Sequence, residues 1–168
     1  MFTAPPKLHI TLMMLVLLND DEKRRIAEDV EKMCSSLQPS LKNLPELTLQ
    51  GLDIMNDDPT DVNVLYATVK DPSNSLQNFS DTLLEKLKPH PFTVDDLNRD
   101  SVKIHVTLMK TSADKQRKTR NGFDATKILE KYQDFYFGKF SPKSIHISAR
   151  FNQDHSTGYY ACLHEINL

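Results

Sequence analysis

A chain of 168 residues, 39% hydrophobic and 26% charged, has enough material for one sizeable core or for two small lobes. Its net charge of −2 gives no global basic field, which excludes a protein that coats nucleic acid through bulk charge. The two cysteines, Cys34 and Cys162, lack metal or redox spacing, so free thiols in a reducing compartment are expected. The apolar run over 8–18 is too short to span a membrane and contains His9 and Thr11. No basic segment precedes it and no small-residue cleavage site follows, so neither a membrane span nor a signal peptide is expected.

In chain order, residues 7–13 alternate polar and apolar, the period of a half-buried strand. Asn19 and Glu22 then form a helix start, with Ile26, Val30, Met33 and Leu37 as the apolar stripe. Met33 and Cys34 fall in or near the core, and Pro39 ends the helix. Residues 47–54 and 62–69 are predicted strands joined by the turn cluster at 56–59. Tyr66, on the second, is either a packing residue or a ring that stacks on a base. Ser73 or Asn74 caps a helix with the stripe Leu76, Phe79, Leu83 and Leu87, which Pro89 and Pro91 end. A short edge strand is expected at 92–94 and another strand at 103–109. Lys110, Lys115, Arg117, Lys118 and Arg120 make 110–121 a basic loop, either solvated or holding an RNA backbone. A helix over 124–135 turns Ile128, Leu129 and Tyr132 inward, and the aromatic residues at 135–137 read as core. Strands at 143–151 and 158–166 close the chain. With only four glycines and no glycine-rich loop after a strand, the order points to an α+β fold: antiparallel sheets with outer helices.

One pattern occurs twice. Lys7-Leu8-His9-Ile10-Thr11-Leu12-Met13 returns as Lys103-Ile104-His105-Val106-Thr107-Leu108-Met109, with two aliphatic exchanges. On a strand, Lys, His, Thr and Met of each copy share one face. Four of the six histidines precede a Ser or Thr by two positions, but His146 and His155 lack the rest of the pattern. Histidine titrates near the operating pH, so two imidazoles can take one proton and deliver another. Thr11 and Thr107 can donate to the non-bridging oxygens of a phosphoryl transition state. No carboxylate or cysteine stands at ligand spacing, so neither metal nor other cofactor is expected; zinc on His9 and His105 would lack its remaining ligands.

These paired motifs resemble those of the two-histidine (2H) phosphoesterases, the superfamily of the RNA ligase-like (LigT-like) cyclic phosphodiesterases. Residues 14–18, 55–59, 64–67 and 144–148 extend the likeness to a branch found in subunits of an activating signal cointegrator complex, a transcription-coactivator assembly. The resemblance implies a bilobal, pseudo-symmetric α+β domain over 1–168, with one His-x-Thr strand per lobe facing a central cleft. It implies His9 and His105 as the catalytic pair and Thr11 and Thr107 as phosphate-binding groups. Lys7, Lys103, Tyr66, Lys115, Arg117, Lys118 and Arg120 are secondary candidates for substrate contact. RNA or a nucleotide phosphate is the implied ligand, a helicase subunit of that complex the implied partner, and the nucleus the implied location, with roles in transcription and alkylation repair. A non-catalytic RNA-binding module and a scaffold docking the helicase are the alternatives. The family places a strand and a helix before the first motif, and its longer members an upstream KH domain. Only six residues precede Lys7 here, so a shortened lobe and a compensating homodimer are expected.

Overall fold

The computed structural model describes residues 1–41, 45–93, 100–113 and 122–168. They form α1 (Asp20–Leu41), β1 (Leu47–Ile54), β2 (Val64–Lys70), α2 (Ser75–Leu87), β3 (His105–Lys110), α3 (Thr126–Tyr132), β4 (Tyr136–Phe140), β5 (Ser144–Gln153) and β6 (Tyr160–Asn167). Short 3-10 turns stand at Pro5–Lys7 and Thr111–Ala113. The chain divides into two units: Met1–Thr11, Leu47–Lys70 and Ile104–Phe140 in the first, and Leu12–Glu46, Asp71–Lys103 and Ser141–Leu168 in the second. No described helix is long and apolar enough to cross a membrane.

The first unit is a four-stranded antiparallel sheet in the order β3-β2-β1-β4. Alternation turns Leu52 and Leu65 to one face, where they pack with Val62, Met109, Ala125, Ile128 and Leu129. The outer edge of β3 is met by the N-terminal residues. Thr3 donates its amide to the Leu108 carbonyl at 2.8 Å, and Ile10 forms an antiparallel bridge with Val106. Between those contacts the chain makes its 3-10 turn at Pro5–Lys7, where two prolines have no N–H to give a ladder. The strand expected over 7–13 is therefore reduced to a bridge around Ile10, and Lys7 belongs to the turn.

Met109 departs from the expected face as well. A bulge where β3 meets Leu65 and Tyr66 inserts one residue, breaks the alternation, and turns Met109 into the core, 6% exposed. The aromatic run after α3 is exposed rather than core: Tyr132, Phe135, Tyr136 and Phe137 all stand at the surface. The reason is position. The helix stops at Tyr132, and β4 is an edge strand with a partner on one side only. Tyr132, Phe135 and Phe137 contact one another edge to face, with centroids 5.8 and 4.9 Å apart.

In the second unit, α1 and α2 pack with the β5–β6 hairpin. Ile26, Val30 and Cys34 meet Phe79, Leu83 and Leu87, together with Ile147 and Ile166. Leu12, Met13, Leu15 and Leu17 pack on this core. Asn19 accepts from the Glu22 amide at 2.9 Å, capping the helix as anticipated, and Glu22 reaches back past the cap to accept from the Leu18 amide at 2.6 Å. The helix runs past Pro39 to Leu41, although that proline was expected to end it; in the last turn a missing amide removes a single bond. Thr93 bridges Leu15, whereas Val94 lies outside the described residues. Burial, followed by the charge of Glu31, raises the Cys34 thiol to about 11, so it stays protonated.

At the start of α2, Ser73 Oγ accepts from the Ser75 amide at 3.3 Å, and a residue further upstream adds to it. Asn74 takes a left-handed φ of 53° and makes no side-chain cap. Asp71 instead accepts from the Leu76 amide and the Ser73 hydroxyl, each at 2.7 Å. Burial works against its charge, but these bonds outweigh it and hold the carboxyl below its usual range. A depressed folded value means the contribution is present above the unfolded carboxyl value and is lost as pH falls through the folded one. Asp71→Ala is expected to cost about 1 kcal/mol at neutral pH, as for other lost helix caps. Urea unfolding at pH 7 and in strong acid checks this: the difference from the parent chain should shrink on acidification, and an undiminished difference would contradict it.

Candidate functional site

Ile10 and Val106 are antiparallel partners. Continued by one residue on each side, that register sets His9 opposite Thr107 and Thr11 opposite His105. The two histidines are then diagonal neighbours, whose α-carbons lie roughly 7–8 Å apart in such pairings. Across β3 and β2, His105 pairs with Thr68 and Thr107 with Tyr66. Paired residues share a face, so this side of the sheet carries both motifs together with Tyr66 and Thr68, opposite the packed core. His9, Thr11, His105 and Thr107 are all half-buried. Both His-x-Thr stretches lie in the first unit, whereas Leu12, Met13 and Lys103 fall in the second.

The 3-10 turn fixes the state of His9. Its Nδ1 lies 2.8 Å from the Lys7 carbonyl oxygen, which can only accept, so Nδ1 carries the proton. In the neutral ring Nε2 is then the lone pair, and Thr11 Oγ1 donates to it at 3.0 Å. When the ring is charged, the same hydroxyl accepts from Nε2–H and its own proton is available to a ligand oxygen. Turn, imidazole and hydroxyl thus form one chain of hydrogen bonds that ends on the Thr11 hydroxyl.

His105 is positioned differently. The Tyr66 ring, 2% exposed, meets its imidazole edge to face with centroids 5.1 Å apart. The Tyr66 hydroxyl donates to Asp53 Oδ2 at 2.5 Å, and Asp53 pairs with Tyr66 across β1 and β2. Burial first, then the hydrogen bond and the charge of Asp53, push the Tyr66 phenol well above its ordinary value, so it remains a donor. The suggestion that Tyr66 stacks on a base is therefore corrected: its ring is a wall behind His105. Thr68 donates its hydroxyl to the Gln50 carbonyl.

The other candidates are scattered. Lys7 contributes its carbonyl through the turn. Lys103 is exposed and falls in the second unit. Lys115, Arg117, Lys118 and Arg120 lie outside the described residues. His146, in the second unit, sits 2.9 Å from Ser144 Oγ and 3.2 Å from Glu165, an exposed strand pairing. Among the described residues no three His, Cys, Asp or Glu side chains gather as a metal-holding set. Asp53 and the Lys7 carbonyl were missed from sequence. Pro5-Pro6 ahead of the motif was the available sign of the turn; nothing local marked Asp53, whose role follows from cross-strand register.

The chain is similar to known proteins along its whole length. The family model for the AKAP7 2′5′ RNA ligase-like domain matches residues 1–168. The chain is also 36% identical over 184 residues to mouse activating signal cointegrator 1 complex subunit 1. That match covers 97% of this chain and 51% of the relative, so the chain spans about half the length of the curated protein it matches.

The carbonyl at Nδ1 makes a spectroscopic prediction. Long-range proton–nitrogen correlation of neutral His9 should show the Nδ1–H tautomer. A ring protonated on Nε2 would contradict the assignment.

Proposed function

Because the chain belongs to the AKAP7 2′5′ RNA ligase-like domain family, within the two-histidine phosphoesterase superfamily, we propose that it is a metal-independent phosphodiesterase acting on RNA ends or 2′,3′-cyclic phosphates. The observation that supports this most is the Ile10–Val106 bridge, from which the crossed arrangement of two imidazoles and two hydroxyls follows. On a cyclic phosphate, one imidazole takes a proton from the attacking water as its oxygen bonds to phosphorus. The other gives a proton to the departing ribose oxygen as the old P–O bond breaks, leaving a monoester. The two rings end with their proton states exchanged. Charge gathers on the non-bridging oxygens in the transition state, where Thr11 and Thr107 donate. Tyr66 holds His105 in place, and the Lys7 carbonyl holds the tautomer of His9.

The relative is named as a subunit of an activating signal cointegrator complex. We extend that setting to this chain: a nuclear coactivator or repair assembly that includes a helicase subunit, with RNA as the substrate. Co-purification of the tagged full-length protein with a helicase, retained in His9→Ala and His105→Ala variants, is the expected result. Loss of association in those variants would place the docking surface at the motifs instead.

Hydrolysis of a nucleoside 2′,3′-cyclic phosphate tests the chemistry. His9→Ala and His105→Ala should each lower kcat by about 10²–10⁴-fold. The parent profile against pH should be bell-shaped, and chelators should leave the rate unchanged. Activity surviving in the double variant would end the proposal; tight binding of the nucleotide without turnover would reduce the domain to a binding module.

A further inference from the structure

Where α3 gives way to β4, the first unit exposes a group of aromatic rings. Tyr132, Phe135, Tyr136 and Phe137 are 40, 47, 54 and 39% exposed. Three of them touch in a row. Tyr132 meets Phe135 at 5.8 Å and 79°, and Phe135 meets Phe137 at 4.9 Å and 70°. Near-perpendicular rings alternate a raised edge with an open face, so the row is ridged rather than flat. Lys131 extends it, with Nζ 5.3 Å from the centre of the Tyr132 ring. Among the described residues this ammonium has no carboxylate partner.

The row is held from behind. The Phe135 amide donates to the Tyr132 carbonyl at 3.0 Å and closes a turn. The Phe135 and Gln133 carbonyls accept from the Gly51 and Leu52 amides of β1 at 2.9 and 2.8 Å. Gly51, with φ of 90°, permits that approach, since a Cβ there would lie 3.1 Å from the Gln133 oxygen. The rings therefore project from a fixed backbone, which lowers the ordering cost of binding.

Size, backbone and charge decide what the row can hold. Four rings so exposed present roughly 300–400 Å², well short of the roughly 800 Å² per partner of a stable dimer. Addition of a strand to β4 is opposed by a bulge: the register shift between Leu49 and Gln50 leaves Phe137 as an extra residue. Nucleic acid is opposed by Glu130 and Asp134, both exposed and close to the rings in sequence. It is also opposed by edge-to-face packing, which offers no parallel slots for bases. A polyproline II segment meets these conditions. It needs no ladder partner, it is stiff before binding, and one turn of three residues advances about 9 Å. That length is close to the two ring-to-ring steps taken together.

We propose that this row is a docking site for a proline-rich segment of a partner protein. One Pro-x-x-Pro turn lies across Tyr132, Phe135 and Phe137, and an acidic residue at its end pairs with Lys131. The site is independent of the phosphate chemistry proposed above.

Fluorescence anisotropy of labelled nonapeptides tests it on the full chain. One peptide carries two Pro-x-x-Pro turns and a terminal aspartate, a second has lysine for the aspartate, and a third has alanine for the prolines. The first should bind at least about tenfold tighter than the third and about threefold tighter than the second. Tyr132→Ala and Phe135→Ala should each weaken it by about tenfold, whereas Phe135→Tyr, which keeps a ring, should retain the parent affinity. Lys131→Glu should reverse the preference between the two end charges. Lys131 is exposed, so this reversal reads the site even where Phe135→Ala disturbs the turn. Equal affinity for the proline and alanine peptides, or an end-charge preference unmoved by Lys131→Glu, would overturn the proposal. So would a dimer in sedimentation that Phe135→Ala dissolves, or ring resonances of Tyr132 and Phe135 that respond to a single-stranded oligonucleotide and not to the peptide.

Discussion

One antiparallel contact, the bridge between Ile10 and Val106, sets the two motifs side by side. These aliphatic residues occupy equivalent places in the two motifs, between the His and the Thr. Because the strands run in opposite directions, pairing the middles crosses the ends: each imidazole faces the other motif's hydroxyl. A parallel pairing would set His beside His and Thr beside Thr, and two cationic rings directly opposite would repel. The antiparallel pairing keeps the rings diagonal and interleaves them with hydroxyl groups, an arrangement that suits the proposed acid/base chemistry.

The two rings are supported by different devices. His9 lies at the sheet edge, where the double proline has broken the ladder, and a turn carbonyl supplies the order that a regular strand would have given. His105 lies one strand further in and is backed by a buried ring whose hydroxyl ends on Asp53. Such asymmetry gives the two imidazoles different environments, and acid/base roles are separated by environment rather than by residue type.

Much of this was legible in the sequence, and what was missed has identifiable causes. The helix start at Asn19 and Glu22, both helical stripes and the pairing of 47–54 with the following strand are local patterns, and local patterns are readable. The doubled His-x-Thr motif was readable because it repeats. Three features were not. The 3-10 turn depends on what two prolines do at an edge, and the turned Met109 depends on a bulge set by pairing with β2. The exposed aromatic residues at 135–137 looked like core because composition is blind to strand order; only the sheet topology shows that β4 is an edge. Tyr66 was seen as a packing residue or a stacking ring, and its burial beside His105 decides for packing.

The two motifs, far apart in sequence, are proposed to serve one anion. Titrating the chain with inorganic phosphate while following the imidazole nitrogen resonances of His9 and His105 tests it directly. Both rings should shift together and saturate at one common concentration, in a chain where His146 and His164 do not respond. If only one of the pair moves, or the two saturate at different concentrations, the motifs do not share a phosphate.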